Sequence, residues 1–151
     1  MEFKEKLQKI QCELKAPKNL YNSFGKYKDR NAEGICEAVK PMLEKYKVIL
    51  TLSDDVVQVG ERYYIKATVS LKDVESDGFV DITAMARESL DKKGMDESQI
   101  TGTASSYARK YALNGLFLLD DTKDADSDEY HNQTKKDDQP SAKEQKEVEG
   151  I

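Results

Sequence analysis

Long apolar runs are missing from this chain of 151 residues. No stretch reaches the roughly 18 consecutive apolar residues of a membrane-spanning helix. The N-terminal segment "MEFKEKLQKIQCELK" mixes charged and apolar residues, so it lacks the apolar centre of a secretory signal peptide. We therefore expect a cytoplasmic protein that has no membrane partner.

Histidine and cysteine are scarce. The chain has one histidine, His131, and two cysteines, Cys12 and Cys36, which do not form a CxxC pair. A structural zinc site needs about four nitrogen or sulfur ligands held together. Because His131 lies in a polar segment, a Ser-His-Asp set or a Cys-His pair is not expected either. We predict no metal site and two ordinary thiols, one or both of them in the core.

Nucleotide-binding motifs are absent as well. The sequence contains neither a G-x-x-x-x-G-K-[ST] loop nor a G-x-G-x-x-G stretch, and these motifs are the usual glycine-rich cradles for phosphate groups. An ATP-driven activity is therefore not expected, and no cofactor is predicted.

Acidic residues are concentrated at one end of the chain, although the net charge is only −5. Residues 120–151 include eleven acids and five bases, whereas residues 1–119 include 18 acids and 19 bases. Residues 15–47 have eight bases and four acids. The acidic average therefore does not exclude a nucleic-acid partner for the first 119 residues.

Residues 120–151 are predicted to be a disordered acidic tail behind a core domain of residues 1–119. The tail has no Val, Ile, Leu or Phe before Val148, so it cannot bury enough apolar surface to offset the entropy of ordering. Its segment "DDTKDADSDE" does not match the EF-hand template and predicts no metal site. If the core domain binds DNA in a basic groove, such a tail would compete with the DNA phosphates for that groove, or repel DNA that approaches the tail.

Periodicity predicts two helices before a β-rich region. Apolar residues recur at helical spacing over residues 2–14. A second helix is predicted from Asn31, a favourable N-cap, and Pro41 inside it should kink or restart the helix. The connecting segment, residues 16–31, has no periodicity and is predicted to be a loop.

The middle of the chain alternates apolar and polar residues, which is typical of strands. The predicted segments are a strand at 48–52, a turn at "SDD" 53–55, a short strand with a Gly60 turn in "VVQVGER" 56–62, and strands at 62–71 and 79–87. Arg62 and Lys66 share one face of the long strand. The short turns favour an antiparallel sheet.

The last helix is predicted to start at Asp96, whose spacing to Gln99 resembles a capping box. Three alanines at i, i+4 spacing form a smooth stripe suited to packing on a sheet or on a neighbouring subunit. These are Ala104, Ala108 and Ala112. Arg109 and Lys110 lie off that stripe and are candidates for phosphate contacts; the alternative is a core helix with a basic edge.

The segment "YNSFGKYKDR", residues 21–30, interleaves aromatic and basic side chains. Single-stranded nucleic acid is bound by cations at its phosphates and by aromatic rings stacked on its bases. The segment offers both and is therefore a candidate DNA-binding loop. The alternative is a solvated loop whose aromatic residues cover the edge of the core.

The stretch "DESQITGTASSYARKYALNGLFLLDDTKDAD", residues 96–126, resembles the signature of the essential recombination function (ERF) family of phage and prophage single-strand annealing proteins. The matching features are a Gln and a Gly, a Ser/Thr-rich turn into "YARKYAL", an apolar run and an acidic end. Lys110 stands where the family more often has Arg, a change that keeps the charge and loses bidentate geometry. An "F-x-KY" loop and a helix with Pro41 also match, so the resemblance covers about residues 15–126.

The resemblance implies an α+β fold with an antiparallel β-β-β-α annealing core, in which a curved sheet packs on a long helix and N-terminal helices precede the sheet. It implies ATP-independent binding and annealing of single-stranded DNA in homologous recombination, not an enzymatic reaction. The implied partners are single-stranded DNA, further copies in a ring or filament, and a phage exonuclease or host single-strand-binding protein in the bacterial cytoplasm. The candidate DNA-binding residues are Lys26, Tyr27, Lys28, Arg30, Arg62, Lys66, Tyr107, Arg109 and Lys110.

Three other functions are compatible with the residues alone. A passive protein would coat single-stranded DNA without annealing it. A nuclease would hold Mg²⁺ with strand carboxylates, for which the candidates are Asp81 and, in the preceding turn, Asp73, Glu75 and Asp77. An interaction module would bind a protein through its apolar helix.

Overall fold

The computed structural model describes residues 1–18, 20–22, 27–88 and 96–120, which divide into two compact units. The first unit is formed by Met1–Ala16 and Asn31–Leu119, and the described residues of the second are 17, 18, 20–22, 27–30 and 120. In chain order the elements are α1 (Phe3–Glu13), β1 (Leu20–Asn22), β2 (Tyr27–Asp29), α2 (Ala32–Tyr46), β3 (Val48–Val59), β4 (Arg62–Asp73), β5 (Phe79–Arg87) and α3 (Glu97–Phe117). The predicted α+β class is confirmed by three helices and a three-stranded antiparallel sheet in the first unit.

The sheet of the first unit follows chain order, β3-β4-β5, with both neighbouring pairs antiparallel. Val48 pairs with Asp73 and Val59 with Arg62, so β3 and β4 form one long hairpin. Lys72 pairs with Phe79 across the second turn. Gly60 has a φ of +62°, a left-handed conformation that glycine adopts at little cost, and this explains the tight first turn.

One face of the sheet forms the core with the three helices. Along β4 the side chains of Ile65, Ala67, Val69 and Leu71 are buried, as the predicted alternation requires. The main apolar cluster joins these strands to all three helices; its largest fully buried members are Ile10, Ile35, Val39, Val69, Leu71, Leu113, Leu116 and Phe117. Burying a side chain of this size contributes roughly 1.5–3 kcal/mol.

The alanine stripe of α3 packs on the sheet, which was one of the two partners predicted for it. Ala104 and Ala108 form a second buried cluster with Ile65 and Ala67. Because the methyl groups are small, the helix axis comes close to β4. Ala112 continues the stripe into the main cluster.

Polar contacts fasten α1 to the rest of the unit. The buried Lys6 ammonium donates to Asp73 and to Glu75, both at 2.7 Å, at the end of β4 and in the turn that follows. Tyr46 of α2 donates its hydroxyl to Glu13 at 2.6 Å. Gln11 donates to the Leu116 carbonyl of α3 at 2.8 Å.

The predicted helix starts are confirmed at both N-caps. The Asn31 side chain accepts from the Gly34 amide at 2.8 Å. Asp96 accepts from the Gln99 amide at 2.8 Å and Gln99 accepts from the Asp96 amide at 3.0 Å, which completes the capping box. Helices α2 and α3 end at Lys47 and Leu118, both in the left-handed conformation with a φ of +56°.

Two local predictions were wrong, and a third was wrong in part. Residues 53–55 lie inside β3, which runs unbroken from Val48 to Val59, because β4 pairs with them residue by residue. Helix α2 does not restart at Pro41 but continues through it to Tyr46, and the kink that was the other possibility stays a prediction. Within the predicted loop 16–31, β1 and β2 form a short antiparallel hairpin with Tyr21 opposite Lys28.

The cysteines are both free, Cys12 exposed and Cys36 half-buried. Cys36 packs against the main core, and burial raises the pKa of its thiol. In the described ranges, no helix is long and apolar enough to cross a membrane. The predicted acidic tail, apart from Asp120, lies outside the described residues, and the domain boundary after residue 119 stays a prediction.

Candidate nucleic-acid interface

The sheet has a second face, opposite the core, which we call the open face. It consists of the alternate side chains of each strand: the odd-numbered residues 49–59 of β3, the even-numbered residues 62–72 of β4 and the odd-numbered residues 79–87 of β5. All of these side chains are exposed or half-exposed except Ser70, which is buried. Within the described ranges, the helices pack into the clusters on the other face.

Four cations lie on the open face: Arg62, Lys66, Lys72 and Arg87. Its two carboxylates are Asp55, opposite Lys66, and Asp81, opposite Ser70. Asp81 accepts a hydrogen bond from the Ser70 hydroxyl. The predicted pair Arg62 and Lys66 is therefore on an accessible surface, and two further cations that the sequence analysis did not select share that surface.

Apolar and hydroxyl side chains fill the rest of the open face. Ile49, Phe79 and Met85 are 50%, 61% and 52% exposed on this face. Cross-strand rows place Lys72 between Ile49 and Phe79. A surface that combines cations, aromatic rings and hydroxyl groups can bind a single nucleic-acid strand, because cations bind its phosphates and rings stack on its bases.

Arg109, the predicted phosphate ligand on α3, is held by a carboxylate of β3. Its Nε and Nη2 atoms donate to the two oxygens of Asp54 at 3.0 and 3.1 Å, and Ser105 donates to the same group at 2.6 Å. Partial burial raises the pKa of Asp54, but the hydrogen bonds from Arg109 and Ser105 outweigh it and lower that pKa overall. The guanidinium side chain remains 38% exposed.

Lys110, its neighbour, lies against two aromatic rings. The residue is only 6% exposed, and its Nζ atom is 5.1 Å from the ring centre of Tyr107 and 5.5 Å from that of Tyr111. The two rings lie 6.1 Å apart with 30° between their planes. Tyr107, a predicted DNA-binding residue, is 44% exposed, and Tyr111 is 40% exposed.

The remaining predicted residues belong to the second unit. Tyr27 and Lys28 lie in β2, and Arg30 follows that strand and donates to the Asp120 carbonyl. Lys26 lies outside the described residues. The two parts of the predicted site, the hairpin segment and α3, are therefore in different units, and each is described separately.

Three of the four acids considered for a nuclease site have other partners. Asp73 is buried and bound by Lys6, Glu75 shares that lysine, and Asp81 binds Ser70. In the part of the chain that the structure describes, no group of three or more His, Cys, Asp or Glu residues is placed to hold a metal ion.

Comparison with known proteins identifies the family. The family model of the ERF superfamily matches residues 3–150. The chain belongs to the ERF superfamily. It is 54% identical over 132 residues to the Essential recombination function protein of Salmonella phage P22. The aligned region covers 87% of this chain and 62% of that relative, so this ERF chain spans only part of the relative's length. No solved structure matches it significantly.

Lys72 and Asp54 were not predicted as site residues, although the sequence of this ERF chain contains a pattern that indicates each of them. Lys72 continues the every-second-residue series of Arg62 and Lys66 along β4. Asp54 continues the inward series of Val48, Leu50 and Leu52 along β3, and a charged residue at an inward position implies a charged partner. Both signals become visible only when the full lengths of β3 and β4 are known, because the predicted strands ended at residues 52 and 71.

Proposed function

We propose that this ERF protein binds single-stranded DNA and anneals complementary strands in phage or prophage homologous recombination, without nucleotide hydrolysis. Three things support the proposal: membership of the family, the name of the phage P22 relative, and the open face of the sheet. The observation on which it depends most is the set of four cations on a sheet face that the core does not use.

The open face suits recognition of a backbone rather than of a base sequence. From Arg62 to Lys72 the strand β4 extends for about 33 Å at 3.3 Å per residue, which is the length of about ten stacked nucleotides. Lysine and arginine neutralise phosphates without reading the base edges. Binding is therefore expected to tolerate any sequence and to weaken steeply with salt.

Annealing follows if the bound strand keeps most of its base edges accessible. A second strand then tests them, and pairing itself supplies the free energy, so the protein needs no catalytic residue and is not an enzyme. We propose that the β-β-β-α arrangement of β3, β4, β5 and α3 is the annealing core, with a curved sheet. Further copies in a ring or filament would extend the DNA-binding surface from one subunit to the next.

The other candidate residues enter the proposal with different roles. Lys26, Tyr27, Lys28 and Arg30 are proposed to contact DNA from the second unit, through charge and ring stacking. Tyr107, Arg109 and Lys110 are proposed to form a second contact region on α3. A phage exonuclease or a host single-strand-binding protein in the bacterial cytoplasm is the proposed protein partner.

An annealing assay without ATP tests the function. Two complementary labelled oligonucleotides should pair faster with the protein than without it, and Arg62→Ala and Lys66→Ala should slow this pairing and weaken binding. Each lost cation should reduce the slope of log K against log salt concentration by about 0.7. The matched control is Lys40→Ala, which removes a 61% exposed cation from α2 and should change neither quantity.

The same assay separates the alternatives. Tight binding without faster pairing would identify a passive protein that only protects single strands. Shortening of a labelled single strand in the presence of Mg²⁺ would identify a nuclease. Absence of binding to any oligonucleotide at low salt would reject the proposal and favour an interaction module.

A further inference from the structure

A cavity of about 350 Å³ lies between α3 and β5, the edge strand of the sheet. Strand β5 contributes Met85 and Arg87 to its wall, and α3 contributes Ile100, Thr103, Tyr107 and Tyr111. The helix residues follow one stripe, so the cavity runs between that stripe and the edge strand. Met85 and Arg87 also belong to the open face. A strand of DNA on that face therefore reaches the cavity without leaving the protein surface.

The size of the cavity favours one small planar group. Binding sites for drug-sized ligands occupy about 300–1,000 Å³, and this cavity is at the lower end of that range. Its walls combine two half-exposed tyrosine rings with apolar side chains. Aromatic walls of this kind bind flat, weakly polar rings, and every nucleobase has such a ring whatever its sequence identity.

The tyrosine pair is held in place before any ligand arrives. The Lys110 ammonium group lies within 5.1–5.5 Å of both ring centres, a distance at which a cation is attracted to the face of a ring. The buried lysine thus limits the motion of both rings. Rings that are already ordered lose less conformational entropy on binding.

The same cavity also offers a cation that can bind a phosphate group. Arg87 is exposed, lines the cavity and stands in a cross-strand row with Tyr64 on the open face. A base inside the cavity is covalently joined to a phosphate outside it, and a guanidinium group binds phosphate in a bidentate manner. The cavity therefore offers partners for both halves of one nucleotide.

We infer that this cavity binds one nucleobase of the DNA strand that lies on the open face, stacked against Tyr107 and Tyr111, with Arg87 on the adjoining phosphate. The inference rests on the proposed function and adds a base-binding site to it. One cavity per subunit holds one base and leaves the other bases of the strand free to pair. In this arrangement Lys110, besides its proposed place in the contact region on α3, is a positioning residue for the rings.

Oligonucleotides with and without bases test the inference directly. The affinity of the protein should be higher for a labelled oligo-dT than for an abasic deoxyribose-phosphate strand of the same length. Tyr107→Leu should reduce that difference, with a loss of about five- to a hundredfold in affinity for oligo-dT. Tyr107→Phe should retain it because the ring remains. The matched control is Tyr63→Leu, which removes a 45% exposed tyrosine outside the cavity and should leave the difference unchanged.

Photocrosslinking of the unmodified protein gives a second measurement that does not depend on the folding of a variant. Oligo-dT containing iododeoxyuridine should crosslink to the peptide that includes Tyr107 and Tyr111. Equal weakening of oligo-dT and abasic binding by Tyr107→Leu, or crosslinks confined to other peptides, would overturn the base-binding site while DNA binding stands. Failure of the unmodified protein to bind either strand would reject the proposed function itself.

Discussion

Arg109 was predicted to bind phosphate, and in the structure this single residue also has a structural role. Its guanidinium group binds both oxygens of Asp54 and links α3 to β3, while part of the side chain stays exposed. An exposed ion pair of this kind stabilises a fold by about 0.2–1 kcal/mol. Loss of DNA binding in an Arg109 variant would therefore have two explanations, and a comparison with Asp54 separates them.

We expect Arg109→Ala to weaken binding of single-stranded DNA, and Asp54→Ala not to weaken it. Both substitutions break the same ion pair and should cost about 0.2–1 kcal/mol of unfolding free energy. Only the first removes a cation, and the second leaves Arg109 with no carboxylate in competition with phosphate. Fluorescence anisotropy with a labelled oligonucleotide measures the affinities, and urea titration measures the stability. Equal weakening by both variants would show that the ion pair acts through the fold alone.

Asp73 links the stability of the protein to pH. A hydrogen bond from Lys6, helped by Ser76, lowers the pKa of this carboxyl from its ordinary value of 3.8 to about 2. Lys6 also donates a hydrogen bond to the neighbouring Glu75 carboxylate, and this bond lowers the pKa of Glu75. Because the folded-state pKa of Asp73 is depressed, its contribution is complete above about pH 4 and is lost as the pH falls towards about 2.

Asp73→Asn should consequently be less stable than the unmodified protein near pH 7, and the difference should narrow between about pH 4 and pH 2. Urea unfolding followed by circular dichroism at several pH values measures the difference. Lys6→Met should also be less stable at pH 7, because it leaves the Asp73 carboxylate buried without its cation. A stability difference for Asp73→Asn that stays constant down to pH 2 would contradict this account.

At the scale of elements, the C-terminal end of α3 is not optimal. Leu118 ends the helix with a φ of +56° and is 70% exposed. A side chain in this left-handed conformation costs roughly 1–2 kcal/mol, a cost that glycine avoids. Leu118→Gly should therefore raise the unfolding free energy by about 0.5–1 kcal/mol, after the higher entropy of glycine in the unfolded chain is included.

A glycine elsewhere in the same helix provides the contrast. Ser106 is exposed inside α3 with helical geometry on both sides, and Ser106→Gly should lower the unfolding free energy by about 0.5 kcal/mol. Urea titrations of the two variants beside the unmodified protein decide the matter. A lower stability for Leu118→Gly would mean that the exposed leucine makes contacts worth more than the strain it introduces.

Sequence alone predicted most elements of the first unit because their patterns are local. The alternation along β4 and the capping box at Asp96 need no knowledge of the rest of the chain. The "SDD" segment was misread as a turn because its acidic side chains are typical of turns. Pairing with β4 and the Arg109 partner of Asp54 decide its conformation, and both come from distant positions in the sequence.

The candidate site was harder to predict than the fold. The sequence indicated Arg62, Lys66 and Tyr107 separately, because charge and ring spacing are visible along the chain. It did not indicate that β5 brings Arg87 to the same cavity as the tyrosines, since that arrangement depends on which strand lies at the edge of the sheet. Nor did it reveal that Lys110 is buried against the rings.

At the scale of the whole molecule, charge is divided between two parts of the sequence. Residues 121–151 contain ten acidic and five basic residues, so the first 120 residues have no net charge although the complete chain has −5. An acidic segment like residues 121–151 repels phosphate groups, or competes with them for the cations that are proposed to bind DNA. Either effect operates within about 10 Å at 0.1 M salt and only about 3 Å at 1 M.

Neutralising the ten acids after residue 120 to Asn and Gln, in the 151-residue chain, should therefore strengthen binding of single-stranded DNA at low salt. The gain should shrink as salt is raised, because screening weakens the effect of the acids in the unmodified protein. Anisotropy titrations from about 0.05 to 0.5 M salt with one labelled oligonucleotide give both curves. The control replaces the five lysines of the same segment with Gln, which should weaken binding instead. If the acid-neutralised chain binds no more tightly than the unmodified chain at any salt concentration, the acidic residues do not compete with DNA.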